Sequence, residues 1–309
     1  MILTVCLNPA LDKTLTVDRL NVGGVNRVLS SRLDAGGKAI NISKMVKSLG
    51  GDTIALGIIG GDTGAYIQSQ LDRMGIAHDF VVTDTPTRTN YKITNRTLHL
   101  TTDFNEPGEP VTSEVLDKVW AKIDAIAKPG DLVAFSGANP PGMEDDILAQ
   151  WVRKLKEKNV CISLDTVGEP MRLGIAEQPT IIKPNQSELS DLFGRELHYT
   201  RDIIAVARQV AQKGVEYVVV TLGANGAVFV TRDEVLYGHG LQVPVGSTVG
   251  AGDATLGSIL NDLQNGLPWE EVARRSIAAG AAKVMCDGTQ TPLTEQISEL
   301  LDKVMIERL

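Results

Sequence analysis

The 309-residue chain is short of several things, and each shortage narrows its class. It has three cysteines, Cys6, Cys161 and Cys286, far apart and without C-x-x-C spacing, so neither a disulfide framework nor a zinc site is expected. Each sits in an apolar run and reads as a buried thiol. Aromatic residues make up only 4% of the chain, and 30 Lys and Arg against 38 Asp and Glu leave a net charge of −8. That balance excludes a broad nucleic-acid or anionic-membrane footprint, which needs a basic face. An anionic ligand must therefore be met by cations gathered locally. No apolar run reaches membrane length, and the opening stretch Met1 to Leu7 breaks at Asn8-Pro9 with no basic segment before it. A cytoplasmic protein without signal or anchor is expected. Internal repeats, low-complexity tracts and Pro/Ser-rich linkers are absent as well. What remains is 43% hydrophobic residues, ample for one large domain or two modest ones.

Short apolar runs alternate with amphipathic stretches, the pattern of parallel strands joined by crossover helices, so the fold class is α/β with a mostly parallel sheet flanked by helices. Leu3 to Leu7, Thr53 to Ile59, Leu132 to Phe135, Cys161 to Leu164, Thr180 to Ile182 and Tyr217 to Thr221 are the predicted strands. Ile42, Met45, Val46 and Leu49 share one helical face, and Leu116, Val119, Trp120 and Ile123 another. Two stretches break the rhythm, Thr14 to Leu33 and Arg88 to Phe104. Both alternate apolar with polar residues and carry turn signals, Gly23-Gly24 and Thr94-Asn95. They read as a small antiparallel lid, wet on one face, inserted into the core.

The segment Ser247-Thr248-Val249-Gly250-Ala251-Gly252-Asp253 carries the sharpest chemical signal. Small residues at Gly250, Ala251 and Gly252 leave backbone N–H groups uncovered where a helix begins, and a helix N-terminus attracts anions. Asp253 in that first turn would stay ionised and could take a proton from an attacking hydroxyl. The plain alternative is a Gly-rich turn with an acidic helix start. A second pair, Gly36 and Gly37, opens the helix that carries Lys38 and Asn41, a cation and an amide one turn apart. It is not a phosphate-binding P-loop, because Ala39 follows Lys38 where Ser or Thr is required. Asp12 follows the first strand, Arg27 ends the lid turn, and Arg88, Asn90 and Lys92 share one strand face, a plausible phosphate clamp or a solvated face. Asn185 and Glu188 at i, i+3 suit either a hydrated Mg²⁺ or a capping box. Thr221, Gly223 and Gly226 mark a strand exit suited to a nucleotide.

Together these residues resemble the phosphofructokinase B family of ribokinase-like sugar kinases across nearly the whole chain. Ala35-Gly36-Gly37-Lys38-Ala39-Ile40-Asn41 looks like the first family signature and Ser247 to Asp253 the second, with Lys183-Pro184-Asn185-Gln186-Ser187-Glu188 between them. The resemblance implies a ribokinase-like core over residues 1–309, with the lid inserted at about 13–34 and 87–104. It implies ATP- and Mg²⁺-dependent phosphorylation of a sugar hydroxyl, with Asp253 as base and the Gly250, Ala251, Gly252 and Asp253 amides as anion hole. By the same resemblance Asp12 and Asn41 hold the sugar, with Gly36, Gly37 and Asn90 beside it, and Lys38, Arg27 and Arg88 hold its phosphate. Asn185 and Glu188 organise the metal through water, while Asn185, Thr221, Gly223, Gly226, Gly250 and Gly252 meet ATP. Relatives pair their lids, so a homodimer through the lids is implied.

Within the family the opening Leu7-Asn8-Pro9-Ala10-Leu11-Asp12 and the lid segments look most like the branch that converts fructose 1-phosphate to fructose 1,6-bisphosphate. The branch acting on tagatose 6-phosphate is close, and 6-phosphofructokinase activity is a further alternative. Ser136-Gly137-Ala138-Asn139-Pro140-Pro141-Gly142 departs from the family's usual Ser-Gly-Ser-Leu-Pro-Pro-Gly by losing a hydroxyl near the sugar phosphate. A different class, a silent sugar-phosphate sensor on the same scaffold, is disfavoured because base, anion hole and metal residues are all present. A dinucleotide oxidoreductase lacks support, since Asn8-Pro9-Ala10 stands where G-x-G-x-x-G would follow the first strand.

Overall fold

A computed structural model describes residues 1–98 and 100–309. In chain order the strands are β1 (Ile2–Cys6), β2 (Ala10–Val17), β3 (Val28–Gly36), β4 (Thr53–Gly60), β5 (Ala77–Thr83), β6 (Thr89–Asn95), β7 (Leu100–Asn105), β8 (Leu132–Ser136), β9 (Cys161–Asp165), β10 (Ile181–Ile182), β11 (Tyr217–Thr221), β12 (Gly226–Val230), β13 (Val235–His239) and β14 (Ile306–Arg308). The helices are α1 (Lys38–Ser48), α2 (Gly61–Arg73), α3 (Ser113–Ile126), α4 (Ile147–Glu157), α5 (Gly168–Ala176), α6 (Gln186–Phe193), α7 (Thr200–Gln212), α8 (Ala251–Gln264), α9 (Trp269–Val284) and α10 (Thr294–Leu301).

Ten strands form one sheet in the order β14-β13-β12-β11-β10-β9-β8-β1-β4-β5. From β11 to β5 every neighbouring pair is parallel. Such strands are covered on both faces, which is why β1 and β8 are continuous buried runs rather than alternating ones. The alternation shows instead in which core each residue joins. Leu3, Val133, Phe135, Val218 and Val220 pack into the layer shared with α3, α4 and α7, whereas Ile2, Leu132, Ala134 and Val219 meet Ile42, Leu256 and Ile277 of α1, α8 and α9. The helical faces read from sequence are buried, with Ile42, Met45 and Val46 in α1 and Leu116, Val119 and Ile123 in α3. The edge strands β12, β13 and β14, which continue antiparallel from β11, and the parallel strand β5 add to the predicted set.

Four strands make a second sheet in the order β3-β2-β6-β7. Two antiparallel hairpins, β2–β3 and β6–β7, are joined by the parallel pair β2–β6. Thr94-Asn95 is not its turn, since both residues end β6. The chain reverses after them, and Asn95 serves the reversal by accepting the Leu98 N–H at 3.1 Å. The pairing register places Leu33, Lys13, Tyr91 and Phe104 in one row, and Leu15, Ile93 and Leu100 on the same face. The opposite face carries Asp12, Arg32, Asp34, Asn90, Lys92 and Asn105. One side of the small sheet is therefore apolar and outward, with Phe104 56% exposed, and the other is polar.

Two thiols depart from expectation. Cys161 is exposed because it is the first residue of β9, where the strand emerges from the core, and Cys286 is half-exposed beyond the end of α9. No helix among the described residues is long and apolar enough to cross a membrane.

Candidate active site

The chain order places β4 on one side of β1 and β8 on the other, and open parallel sheets bind ligands beyond the strand C-termini at such a reversal. A cleft of about 740 Å³ lies there, lined by Asn8 after β1, Gly137 and Ala138 after β8, Lys183 after β10 and Thr221 at the end of β11. The polar face of the small sheet closes one end with Asp12, Asn90, Lys92 and Asn105. Leu241, Val243, Val245, Ile277, Ala281 and Val284 line an apolar slot, together with Gly223, Ala224 and Gly226. The start of α8 stands among the lining residues with Gly250, Ala251, Gly252 and Asp253.

Gly250 caps α8 in the left-handed region at φ 79°, a conformation open to glycine at little cost. The Ala251 N–H donates back to the Thr248 carbonyl at 3.3 Å, and the N–H groups of Gly252 and Asp253, which have no partner within the helix, are available to an anion. A side-chain carbon built on Gly250 would lie 3.7 Å from Asn41 Nδ2 and 3.8 Å from Asp253 Oδ2, and one on Gly252 would lie 3.3 Å from Lys183 Nζ. The base candidate, an amide and a buried lysine thus surround this turn. Asp253 is 7% exposed, and its Oδ2 accepts from Asn41 Nδ2 at 2.8 Å. Its carboxyl titrates above the usual carboxylate range. Burial is the main cause and Asp165 adds to it, against the Asn41 hydrogen bond and the charges of Lys38 and Lys183. The helix start therefore does not by itself hold Asp253 at an ordinary value, because desolvation outweighs it.

A charged cluster adjoins the α8 turn. Asp165 ends β9, fully buried, with Oδ1 at 3.5 Å from both Lys38 Nζ and Lys183 Nζ, and Oδ2 accepting from the Ser136 hydroxyl at 2.7 Å. Burial alone would raise Asp165, yet Lys183, Lys38 and Ser136 hold it below the ordinary range. Oδ1 makes no short hydrogen bond and is met instead by the two ammonium groups. Lys38 also stands 3.6 Å from Glu188 Oε1. Burial works against its charge, but Asp165, Glu188 and Asp253 raise it above its ordinary value. Lys38 is thus gathered with the carboxylates rather than with the small sheet. Asn185 and Glu188 form the capping box of α6, Oδ1 accepting from Glu188 N and Oε2 from Asn185 N, both at 2.8 Å. Glu188 Oε1 remains outside that box, and Asn185 bridges to Thr221 on the neighbouring strand.

At the polar end Asp12 is 4% exposed, accepts from Asn90 Nδ2 at 3.2 Å and pairs with Lys92 Nζ at 3.5 Å. Gly36 is required beside it, because a side chain there would meet the Asp12 carboxyl at 2.7 Å. Gly37 caps α1, so Lys38 and Asn41 are presented from its first turn. Arg88 lines the cleft, but three of its five N–H donors are committed to the carbonyls of Pro9, Glu106 and Asn8 at 3.3, 2.6 and 3.0 Å. It fastens the entry of β6 and keeps two donors for a ligand. Arg27 is not brought to the cleft. The loop leaving Val17 is braced internally by Asn21 and Asn26, whose hydrogen bonds of 2.7 and 2.9 Å carry Arg27 outward and exposed.

Sequence reading gave Asp165 and Lys183 no role in the site and missed the whole apolar slot, while Lys92 was offered with Arg88 and Asn90 as a clamp or a solvated face. A carboxylate directly after a buried strand, as in Ser163-Leu164-Asp165, was the signal available for Asp165. The β9–β10 register, which pairs Leu164 with Ile182, is what brings Lys183 beside it.

The sequence profile described as pfkB family carbohydrate kinase matches residues 7–296. A 1-phosphofructokinase of Rhodobacter capsulatus is 33% identical over 309 residues, covering 100% of this chain and 98% of the relative. A 1-phosphofructokinase of Haloferax volcanii is 35% identical, covering 96% of this chain and 95% of the relative. Among solved structures, phosphofructokinase-2 from Escherichia coli in complex with substrates and products superposes with a TM-score of 0.94 at 27% identity, covering 98% of each chain.

Proposed function

The chain belongs to the pfkB family of carbohydrate kinases, an ATP-dependent sugar-phosphate phosphotransferase, and from that premise we propose that its acceptor is fructose 1-phosphate and its product fructose 1,6-bisphosphate. The observation that carries the chemistry is the buried Asp253 carboxylate at the glycine turn of α8, between the polar end of the cleft and its apolar slot. The names of the relatives, 1-phosphofructokinase at 33% and 35% identity over nearly the full length, support the acceptor.

In this reading the adenine lies in the slot of Leu241, Val243, Ile277 and Val284, with Thr221, Gly223 and Gly226 beside the nucleotide. The α8 amides hold the γ-phosphoryl group, and Lys38 and Lys183 balance the triphosphate. Asp12, Asn41 and Asn90 hold the sugar hydroxyls, and Lys92 with the two spare Arg88 donors takes the sugar's phosphate. The bond from the γ-phosphorus to the β-phosphate oxygen breaks as the sugar oxygen bonds to phosphorus. The hydroxyl proton passes to Asp253 and ADP leaves.

Glu188, whose Oε1 lies outside the capping box, fits with Asn185 a hydrated Mg²⁺, held through water rather than by a closed ligand set. Mg²⁺ would neutralise phosphate charge there. ATP and sugar phosphates are metabolites of the cytoplasm, which is where this reading places the enzyme. The apolar outer face of the small sheet, with Leu33, Tyr91, Leu100 and Phe104, is the surface a second copy would cover, and the sheet acts as the lid of a homodimer.

The test is ADP release with fructose 1-phosphate, fructose 6-phosphate and tagatose 6-phosphate at fixed ATP and Mg²⁺. Fructose 1-phosphate is expected to give the highest kcat/KM. A higher value for either 6-phosphate would overturn the acceptor assignment.

A further inference from the structure

Behind the α8 turn lies a buried cation that does not line the cleft. Lys283, in the last turn of α9, is 4% exposed, and its Nζ donates to the Gly288 carbonyl at 2.7 Å. It joins no ion pair among the described residues. An ammonium buried against one carbonyl is costly, and a Leu or Met would fill the same space without that penalty. Burial accordingly pulls Lys283 below its ordinary value and Arg32 adds to this, while Cys286, Asp253 and Asp34 oppose it. The position of the side chain gives the charge a use. A side-chain carbon built on Gly250 would lie 3.4 Å from Lys283 Cε, so the lysine stem packs against the residue that caps α8. Gly250 is thus flanked by Lys283 as well as by the Asn41–Asp253 pair. The segment after Lys283 is fixed from two other directions. Val284 O accepts the N–H groups of Gly246 and Ser247 at 2.8 and 3.1 Å, and Arg32 of β3 donates to Asp287 O at 3.1 Å.

We propose that Lys283 is a positioning residue for phosphoryl transfer: its ammonium, held behind Gly250, fixes the turn and adds positive potential to the α8 amides where negative charge develops on the transferring group. The proposal rests on the kinase reading. A cation fixed behind a helix start in a water-poor interior reinforces the helix dipole and needs no reorganisation during the reaction. Lys283 touches no reacting atom and acts through the Gly250 turn.

The test compares wild type with Lys283→Met and Lys283→Gln in the full chain, using the acceptor that turns over best. Gln can still donate to the Gly288 carbonyl but carries no charge, so it separates tether from potential. Both variants are expected to lose about ten-fold or more in kcat, with the KM for ATP within about three-fold of wild type. A Gln variant that turns over at the wild-type rate would reduce Lys283 to a tether and overturn the proposal. So would a Met variant whose loss appears only in thermal stability or only in KM. Should Lys283→Met fail to fold, Lys283→Ala assayed with methylammonium chloride decides beside the Gln result. Restored turnover, absent with sodium chloride at equal ionic strength, supports the proposal, and no restoration in a folded Ala variant counts against it. The wild-type rates across acceptors test the substrate, and the variant-to-wild-type ratio tests Lys283, so the two can fail separately.

Discussion

Asn41→Ala should move the acid limb of the kcat/KM profile toward higher pH. The Asn41 amide supplies the only hydrogen bond to the Asp253 carboxylate among the described residues, at 2.8 Å, and it favours the ionised form against burial and Asp165. A hydrogen bond to a charged group contributes about 1.5–3 kcal/mol, and about 1.4 kcal/mol corresponds to one pH unit. Water entering the space of the deleted amide would recover part of this. The acid limb is therefore expected to rise by about one pH unit. The sign follows from the base's role. Removing a group that stabilises the carboxylate leaves Asp253 protonated, and inactive as a base, up to a higher pH. The assay is ADP release from pH 5 to 9 with saturating ATP and limiting sugar phosphate, each profile normalised to its own plateau, so that weaker sugar binding does not enter. An acid limb that stays in place or moves to lower pH would refute the reasoning.

Three further outcomes are expected. Lys44 is buried, donates to the Ala35 carbonyl, and is pulled down by burial to about 8. A lysine depressed in the folded state gains stability as pH rises from its folded value toward its unfolded one, so the Tm of wild type should rise relative to Lys44→Met between pH 8 and 10.5, and a pH-independent difference would contradict this. Phe104→Lys on the apolar outer face should convert a dimer to a monomer by light scattering at micromolar concentration, and an unchanged mass would remove the lids from the interface. Arg88→Ala should lower stability by about 2 kcal/mol, through loss of contacts to three backbone carbonyls, and raise the KM for sugar phosphate more than that for ATP. An unchanged urea midpoint together with an unchanged sugar-phosphate KM would show that Arg88 does neither.

The parallel strands and the α8 turn were legible because their signals are local. A buried parallel strand is a continuous apolar run, and Gly250-Ala251-Gly252-Asp253 needs only its own few residues to be recognised. Asp12 and Asn41 were legible for a related reason, each being polar where the chain leaves or enters a buried element. Asp165 and Lys183 were not, because they meet through the pairing of β9 with β10, which no short segment encodes. The apolar slot escaped for a different reason: Val243, Ile277 and Val284 look like any other core residues until the fold leaves them lining a cleft. Arg27 is a different case: its phosphate role rested on the family resemblance, and in the fold it lies exposed on the loop after β2, braced by Asn21 and Asn26, outside this chain's own cleft.

The central claim is that Asp253 takes the proton of the attacking hydroxyl, and Asp253→Asn tests it most directly. Asn keeps the size of the side chain and can still meet Asn41, but it accepts no proton. General-base removal costs on the order of 10²–10⁴ in rate. The account predicts a kcat lowered by at least the smaller factor, a KM for ATP near wild type, and an unchanged circular dichroism spectrum. Turnover within a few-fold of wild type would contradict it.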